Sequence, residues 1–156
     1  MARNPFWTYS LRLYRKAGVA PACLALQDRA GVNVNLLLFC LWAGREGRTL
    51  QGTPLNQALA VTRHWAAIIG PLRQSRRVLK PIPAADAQRL RARVLQVELE
   101  AERLVQDRLH ALRLSSAAGE GVTLAADNLG RYFRRAGIRL AGRDWTALQT
   151  VVRAAF

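Results

Sequence analysis

Arg73, Arg76, Arg77 and Lys80 stand at positions i, i+3, i+4 and i+7. On a helix that spacing gathers four cations on one face. Such a stripe could track the phosphates of a nucleic acid or meet an acidic protein. No acidic residue lies between Glu46 and Asp86, so nothing nearby in the chain neutralises it. The competing reading is an ordinary helix face turned to water. The formal net charge of +14 favours a polyanion partner: nucleic acid, ribosome or an anionic membrane surface. Against this, 22 of the 24 basic residues are Arg in an Ala- and Gly-rich chain, as GC-rich coding also produces. Most of the charge lies early: residues 1–83 carry net +10 and residues 84–156 net +4.

Other constellations are weaker. Cys40 and His64 could pair as nucleophile and base, but Cys40 sits in the most apolar run, where a thiolate is disfavoured. The four possible soft ligands, His64, His110, Cys23 and Cys40, contain no close pair. Aspartate pairs of the D-x-x-x-D type and glycine-rich phosphate motifs are absent. Glu98, Glu100 and Glu102 alternate, a spacing expected to scatter them around a helix axis with no shared site. The N-terminal mixture of Phe6, Trp7, Tyr9, Arg12, Tyr14, Arg15 and Lys16 could stack on single-stranded bases. The aromatics occupy helix-spaced rows, however, which is how a first helix anchors to a core. Residues 124–153 resemble a helix-turn-helix with Arg131, Arg134 and Arg135 nearby. Their 137–142 connection exceeds the usual three- to four-residue turn, so an antiparallel pair closing the core is the stronger reading. No catalytic residue, metal ligand or cofactor site is expected, and Arg73, Arg76, Arg77 and Lys80 are the candidate polyanion-binding residues.

The elements that must position these groups are helical. Ala and Leu abound while β-branched residues are few, which favours an all-α fold. From Leu36 to Ala43 no side chain is polar. A helix over 35–43 would be apolar all round and must be wrapped by other elements. Asn35 is the expected cap and Gly44 the expected stop. Asn4-Pro5 opens a first helix over 6–16 and Pro21 fits the first turn of a second over 19–30. Thr53-Pro54 opens a fourth over 55–69, with a kink or short break at Gly70-Pro71 before an apolar side resumes toward Lys80.

Pro81, Ile82 and Pro83 form a rigid connector between an N-terminal and a C-terminal helical half. The longest helix is expected over 84–114, about 45 Å. Its inward seam would be Ala87, Leu90, Val94, Val97, Ala101 and Leu104, widened by Leu95, Leu99, Val105, Leu109 and Leu112. After a flexible break at 115–121, helices follow over 124–136 and 143–155. The expectation is one domain over 1–156, an all-α bundle of six or seven helices around a short buried one.

The motifs W-x-x-S-L-x-x-Y (Trp7, Ser10, Leu11, Tyr14), A-C-L-x-L-Q-D (residues 22–28) and N-L-L-L-F-C-x-W (residues 35–42) resemble those of a proteobacterial family of small proteins described only as a domain of unknown function. A later W…LR…RR-x-LK pattern on Trp65, Leu72, Arg73, Arg76, Arg77, Leu79 and Lys80 is similar too. The resemblance implies a compact all-helical bacterial protein, with no reaction or cofactor attached.

Cys23 and Cys40 make no disulfide framework and read as buried thiols in a reducing compartment. The N-terminus lacks a signal-peptide hydrophobic stretch, and the longest apolar run is short of a membrane span. The chain therefore reads as cytoplasmic. Its expected function is that of a non-catalytic interaction or adaptor protein with a protein partner. The alternative is a nucleic-acid- or ribosome-associated protein using the Arg-rich stripe.

Overall fold

A computed structural model describes residues 3–156. Seven helices follow one another there: α1 (Pro5–Tyr14), α2 (Val19–Ala30), α3 (Val34–Arg45), α4 (Gly52–Leu79), α5 (Ala85–His110), α6 (Gly121–Ala136) and α7 (Gly142–Ala155). Two short strands, β1 (Arg48–Thr49) before α4 and β2 (Ser115–Ser116) before α6, pair antiparallel. The fold is all-α, and the polar segments expected as plain loops contain the strand pair.

The first helix starts as its sequence dictates. Asn4 Oδ1 accepts from the backbone N–H groups of Phe6 (2.9 Å) and Trp7 (3.4 Å), beside a proline whose missing N–H costs nothing there. The Asn4 amide then donates to Asp107 of α5 at 2.8 Å, so the cap also ties the chain's first turn to its fifth helix. Helix α2 ends at Gly31 in the left-handed conformation (φ 69°), which an L side chain resists.

Helix α3 is the centre. Leu36, Leu37, Phe39, Cys40 and Leu41 have no exposed surface. Its cap is Asn33, whose side chain accepts from Leu36 N–H at 3.2 Å, and not Asn35. Both asparagines precede the apolar run, and only the first lies outside the helix. Nor does Gly44 stop it: α3 continues to Arg45, and Gly44 instead permits the close approach of α6. A Cβ on Gly44 would lie 2.4 Å from the backbone nitrogen of Ala125. Phe6 packs on this helix too, with ring centroids 5.2 Å from Phe39 and 5.6 Å from Trp42.

Helix α6 lies along α3, and α7 lies along α2. The expected antiparallel pair of last helices is thus replaced by two helices closing different walls. Asn128 of α6 is fully buried and satisfied: Oδ1 accepts from Leu50 N–H (2.8 Å), and Nδ2 donates to the carbonyls of Cys40 (3.3 Å) and Arg48 (3.1 Å). One side chain thereby holds α3, β1 and α6 together. At the start of α7, Asp144 accepts from Ala141 N–H and from Arg29 of α2, both at 3.0 Å.

Helices α4 and α5 form a hairpin that turns at Pro81, Ile82 and Pro83. Helix α4 runs unbroken through Pro71. Proline removes one bond to the carbonyl four residues back, and exposed Ala67 leaves that carbonyl within reach of water. At 28 residues α4 is longer than α5, whose 26 residues end four short of expectation.

Replacing Gly44 by Ala is expected to destabilise the fold by about 3 kcal/mol, because the obstacle is backbone and cannot rotate away; urea denaturation checks this. The Ala141 N–H, then Arg29, hold the Asp144 carboxyl below its ordinary pKa. A depressed folded-state pKa contributes stability above the ordinary aspartate range and loses it as pH falls through the folded value. Asp144→Asn should therefore lower stability at neutral pH and make acid unfolding shallower, read from melting temperature against pH.

Candidate functional site

Three of the four candidate cations lie in the second half of α4 and Lys80 just past its end, and the structure spends the three internally. Arg76 grips Glu98 of α5 through two nitrogens, Nε to Oε2 at 2.5 Å and Nη2 to Oε1 at 3.2 Å. Arg73 reaches Glu98 at 3.4 Å and Glu102 at 3.0 Å. Arg77 meets Asp28 of α2 at 3.3 Å. Lys80 is exposed at the hairpin turn. The expectation that nothing neutralises the stripe does not hold, because its counter-charges arrive from the partner helix and from α2.

Glu98 is the deepest carboxylate of the cluster, 5% exposed. Glu98 and Glu102 do share a cation, contrary to the scatter expected of them. Residues four apart sit on one helix face, and only Glu100 points elsewhere, into solvent. The cluster continues into α3. Asn35 donates to Glu102, and Gln106 donates to Asn35 at 3.0 Å. Burial pushes the Glu102 carboxyl up, opposed by the Asn35 hydrogen bond and by Arg73. The Arg76 guanidinium is held more firmly protonated by its hydrogen bond to Glu98. A cavity of about 200 Å³ beside this cluster is lined by Asn33, Asn35, Trp65, Arg73 and Glu102 among others.

The body-facing side of the hairpin is thus ionic at its middle, and an apolar row is left exposed along one flank of α5. Leu90, Val97 and Leu104 recur every seven residues along α5 and are 51%, 49% and 43% exposed. Leu90, Val97 and Leu104 were expected in the inward seam and stand outside it, whereas Ala101 of that seam and Val105 and Leu109, expected to widen it, are buried together with Glu98 and Gln106. Along α4, Ile68 is exposed and Leu72 and Leu79 are half-buried, at helical spacing on one flank. The Arg108 guanidinium lies 4.8 Å over the Trp65 ring, which places the Leu104 flank of α5 and the Ile68 flank of α4 on the same side of the hairpin. Sequence periodicity found the apolar rows, but α5 has such rows on both sides of its buried one. Only the i, i+4 spacing of Glu98 and Glu102 hinted at which face turns inward.

The family model described as "Protein of unknown function (DUF2390)" matches residues 5–109. The chain belongs to this family. Every motif residue of the N-terminal resemblance, from Trp7 to Lys80, falls within the DUF2390 match. No curated protein and no solved structure matches the chain.

The remaining candidates are placed as follows. Cys40 is wholly buried, and burial pushes its thiol pKa far up, while Cys23 is pushed to about 12 by the same cause. His64 is exposed on α4. Arg131 turns inward, to the Leu50 carbonyl (3.1 Å) and Thr49 Oγ1 (2.7 Å), and closes the β1 segment. Among the described residues no three His, Cys, Asp or Glu side chains gather, and no helix is long and apolar enough to cross a membrane.

Arg76→Ala should cost about 3 kcal/mol, because it leaves the buried Glu98 carboxylate only the longer contact to Arg73, at 3.4 Å. Arg77→Ala, whose pair with Asp28 is exposed on both sides, should cost less than about 1 kcal/mol. Equal losses in denaturant unfolding would overturn this division of the stripe.

Proposed function

We propose that the chain is a non-catalytic cytoplasmic interaction protein, an adaptor that seats an amphipathic helix of another protein on the outer face of the α4–α5 hairpin. The observation that carries this is the hairpin's polarity. A hairpin that only completed a core would turn Leu90, Val97 and Leu104 inward and its ion pairs outward. Here the carboxylates are buried and the leucines and valine face water. Desolvating Glu98 costs free energy that an apolar contact would not, and an exposed apolar row is the mark of a contact surface.

The charge pattern selects the occupant. Helical spacing sets Arg89, Arg93 and Arg108 beside the row, against Asp86, Glu100 and Asp107; Asp107 is already bonded to Asn4, and the whole chain carries +14. A second copy would bring like charges together, whereas a helix with apolar residues at i, i+3, i+4 and i+7 and acidic flanks meets both the row and its border. Two buried free thiols fit a reducing compartment. The alternative, nucleic-acid or ribosome binding, keeps the net charge in its favour, but among the described residues Arg73, Arg76 and Arg77 of the stripe are ion-paired, and Lys80 alone is not.

The test uses two synthetic helical peptides with the same leucine pattern, one flanked by Glu and one by Lys. The Glu peptide should bind the chain and the Lys peptide should not. A Leu90→Ser, Val97→Ser, Leu104→Ser variant should bind at least tenfold more weakly, with stability within about 1 kcal/mol of wild type because the residues are exposed. Equal binding of both peptides, or no effect of the triple change, would overturn the reading. Self-association abolished by the triple change would make the occupant a second copy instead. Salt-dependent RNA binding, weakened by Arg77→Gln with Lys80→Gln, would favour the alternative.

A further inference from the structure

A second feature is independent of the hairpin and shares no residue with its outer face. Between α1, the end of α3 and the end of α7 lies a cavity of about 550 Å³, within the size range of small-molecule sites. Arg3, Arg12, Lys16 and Arg45 line it, with Glu46 the one acidic residue in the lining. Arg3, Arg12 and Arg45 have no carboxylate within ion-pair distance among the described residues, unlike the arginines of the hairpin. Lys16 donates to the Ala154 carbonyl at 2.7 Å, which satisfies a helix end and keeps its charge at the cavity. Pro5, Leu13 and Trp42 supply an apolar wall.

Tyr9 adds an independent sign. Its side chain lines the cavity, and its hydroxyl, shut off from water, has no hydrogen-bond partner. An unsatisfied buried hydroxyl is costly. Arg45 lies 5.8 Å from the ring centroid. Burial raises the phenol to about 12, so it stays protonated and able to donate. A donor without an acceptor, among unpaired cations, is complementary to an anion.

We propose that this cavity binds a phosphate monoester, with the phosphoryl group among Arg12, Arg45 and Lys16, the Tyr9 side chain shifting to bring its hydroxyl to a phosphoryl oxygen, and the organic group against Trp42 and Leu13. Four cations against one carboxylate favour a group carrying close to two negative charges over a single carboxylate. The apolar wall favours an ester over inorganic phosphate. A free phosphate ester and the headgroup of a phosphatidic-acid-type lipid present the same chemistry to the cavity.

Titration calorimetry of the full chain with phenyl phosphate tests the proposal, with benzyl alcohol as the uncharged control. Saturable one-to-one binding of phenyl phosphate and none of benzyl alcohol is expected. Arg12→Gln and Arg45→Gln, both at exposed positions, should each weaken binding about tenfold. Tyr9→Phe should weaken it several-fold while raising the melting temperature of the unliganded chain, since it removes an unsatisfied hydroxyl. Vesicles containing phosphatidic acid, compared with neutral vesicles, separate the sources. Competition by the former alone assigns a lipid headgroup, and its absence assigns a soluble ester. No saturable binding to phenyl phosphate or to the acidic vesicles, or binding unchanged in both arginine variants, would overturn the proposal. Failure here leaves the hairpin reading standing, because the peptide experiment uses none of these residues.

Discussion

A helix with no polar side to offer solvent imposes its needs on everything around it. From Leu36 to Leu41 every side chain of α3 is buried, so each direction around its axis needs a wall. Burying a leucine is worth roughly 2 kcal/mol, but only where another surface meets it. Helix α6 meets it closely enough that Gly44 cannot carry a Cβ. Helix α1 contributes Phe6, and α5 contributes Val105 and Leu109. Near Asn35, where α3 is still polar, the wall becomes polar too: Glu102 and Gln106 face its amide, and Arg73 joins them through Glu102. The ionic middle of the hairpin is therefore the continuation of a boundary set by the first turn of α3.

Buried ion pairs contribute little net stability, because desolvation offsets most of their attraction. They are demanding about geometry, however. Arg76 reaches Glu98 with two nitrogens, and sliding α4 past α5 by one turn would break that grip and strand both groups. The pairs fix the register of the hairpin, and the register fixes how Ile68 and Leu72 stand relative to Leu90, Val97 and Leu104. An apolar face whose pattern is held rigid presents a defined shape to whatever covers it.

Much of the architecture was legible because it is written locally. Asn4-Pro5, Gly31 and Gly137 punctuate helices by their own conformational preferences, and eight apolar residues in succession identify a core helix without any partner being known. The buried state of Cys23 and Cys40 follows from the same local reading. What escaped was relational. Asn33 and Asn35 are both good caps, and nothing local records that the Asn33 N–H donates to the hydroxyl of Tyr132, far along the chain. Glu98 finds Arg76 across a turn, and Arg77 finds Asp28 across two helices; no periodicity in either segment records its partner. The sidedness of α5 was misjudged because apolar residues occupy three of its rows, and hydrophobicity alone cannot choose among them. The cavity around Tyr9 joins Tyr9, Arg12 and Lys16 of the N-terminal aromatic and basic mixture to Trp42, Arg45 and the far end of the chain, and no spacing in the sequence records that meeting.

The match to the DUF2390 family ends at residue 109, at the close of α5. The helix that lies along α3 and the helix that lies along α2 come afterwards. The stretch that is recognisable as sequence is thus shorter than the stretch that can close around its own centre. During synthesis this becomes an order of events. Helix α3 emerges early, with its most apolar surface complete and one wall missing. It stays open until Gly121–Ala136 has cleared the ribosome. For that interval the nascent chain exposes the surface most prone to wrong association, and its native fold waits on the part that family resemblance does not cover.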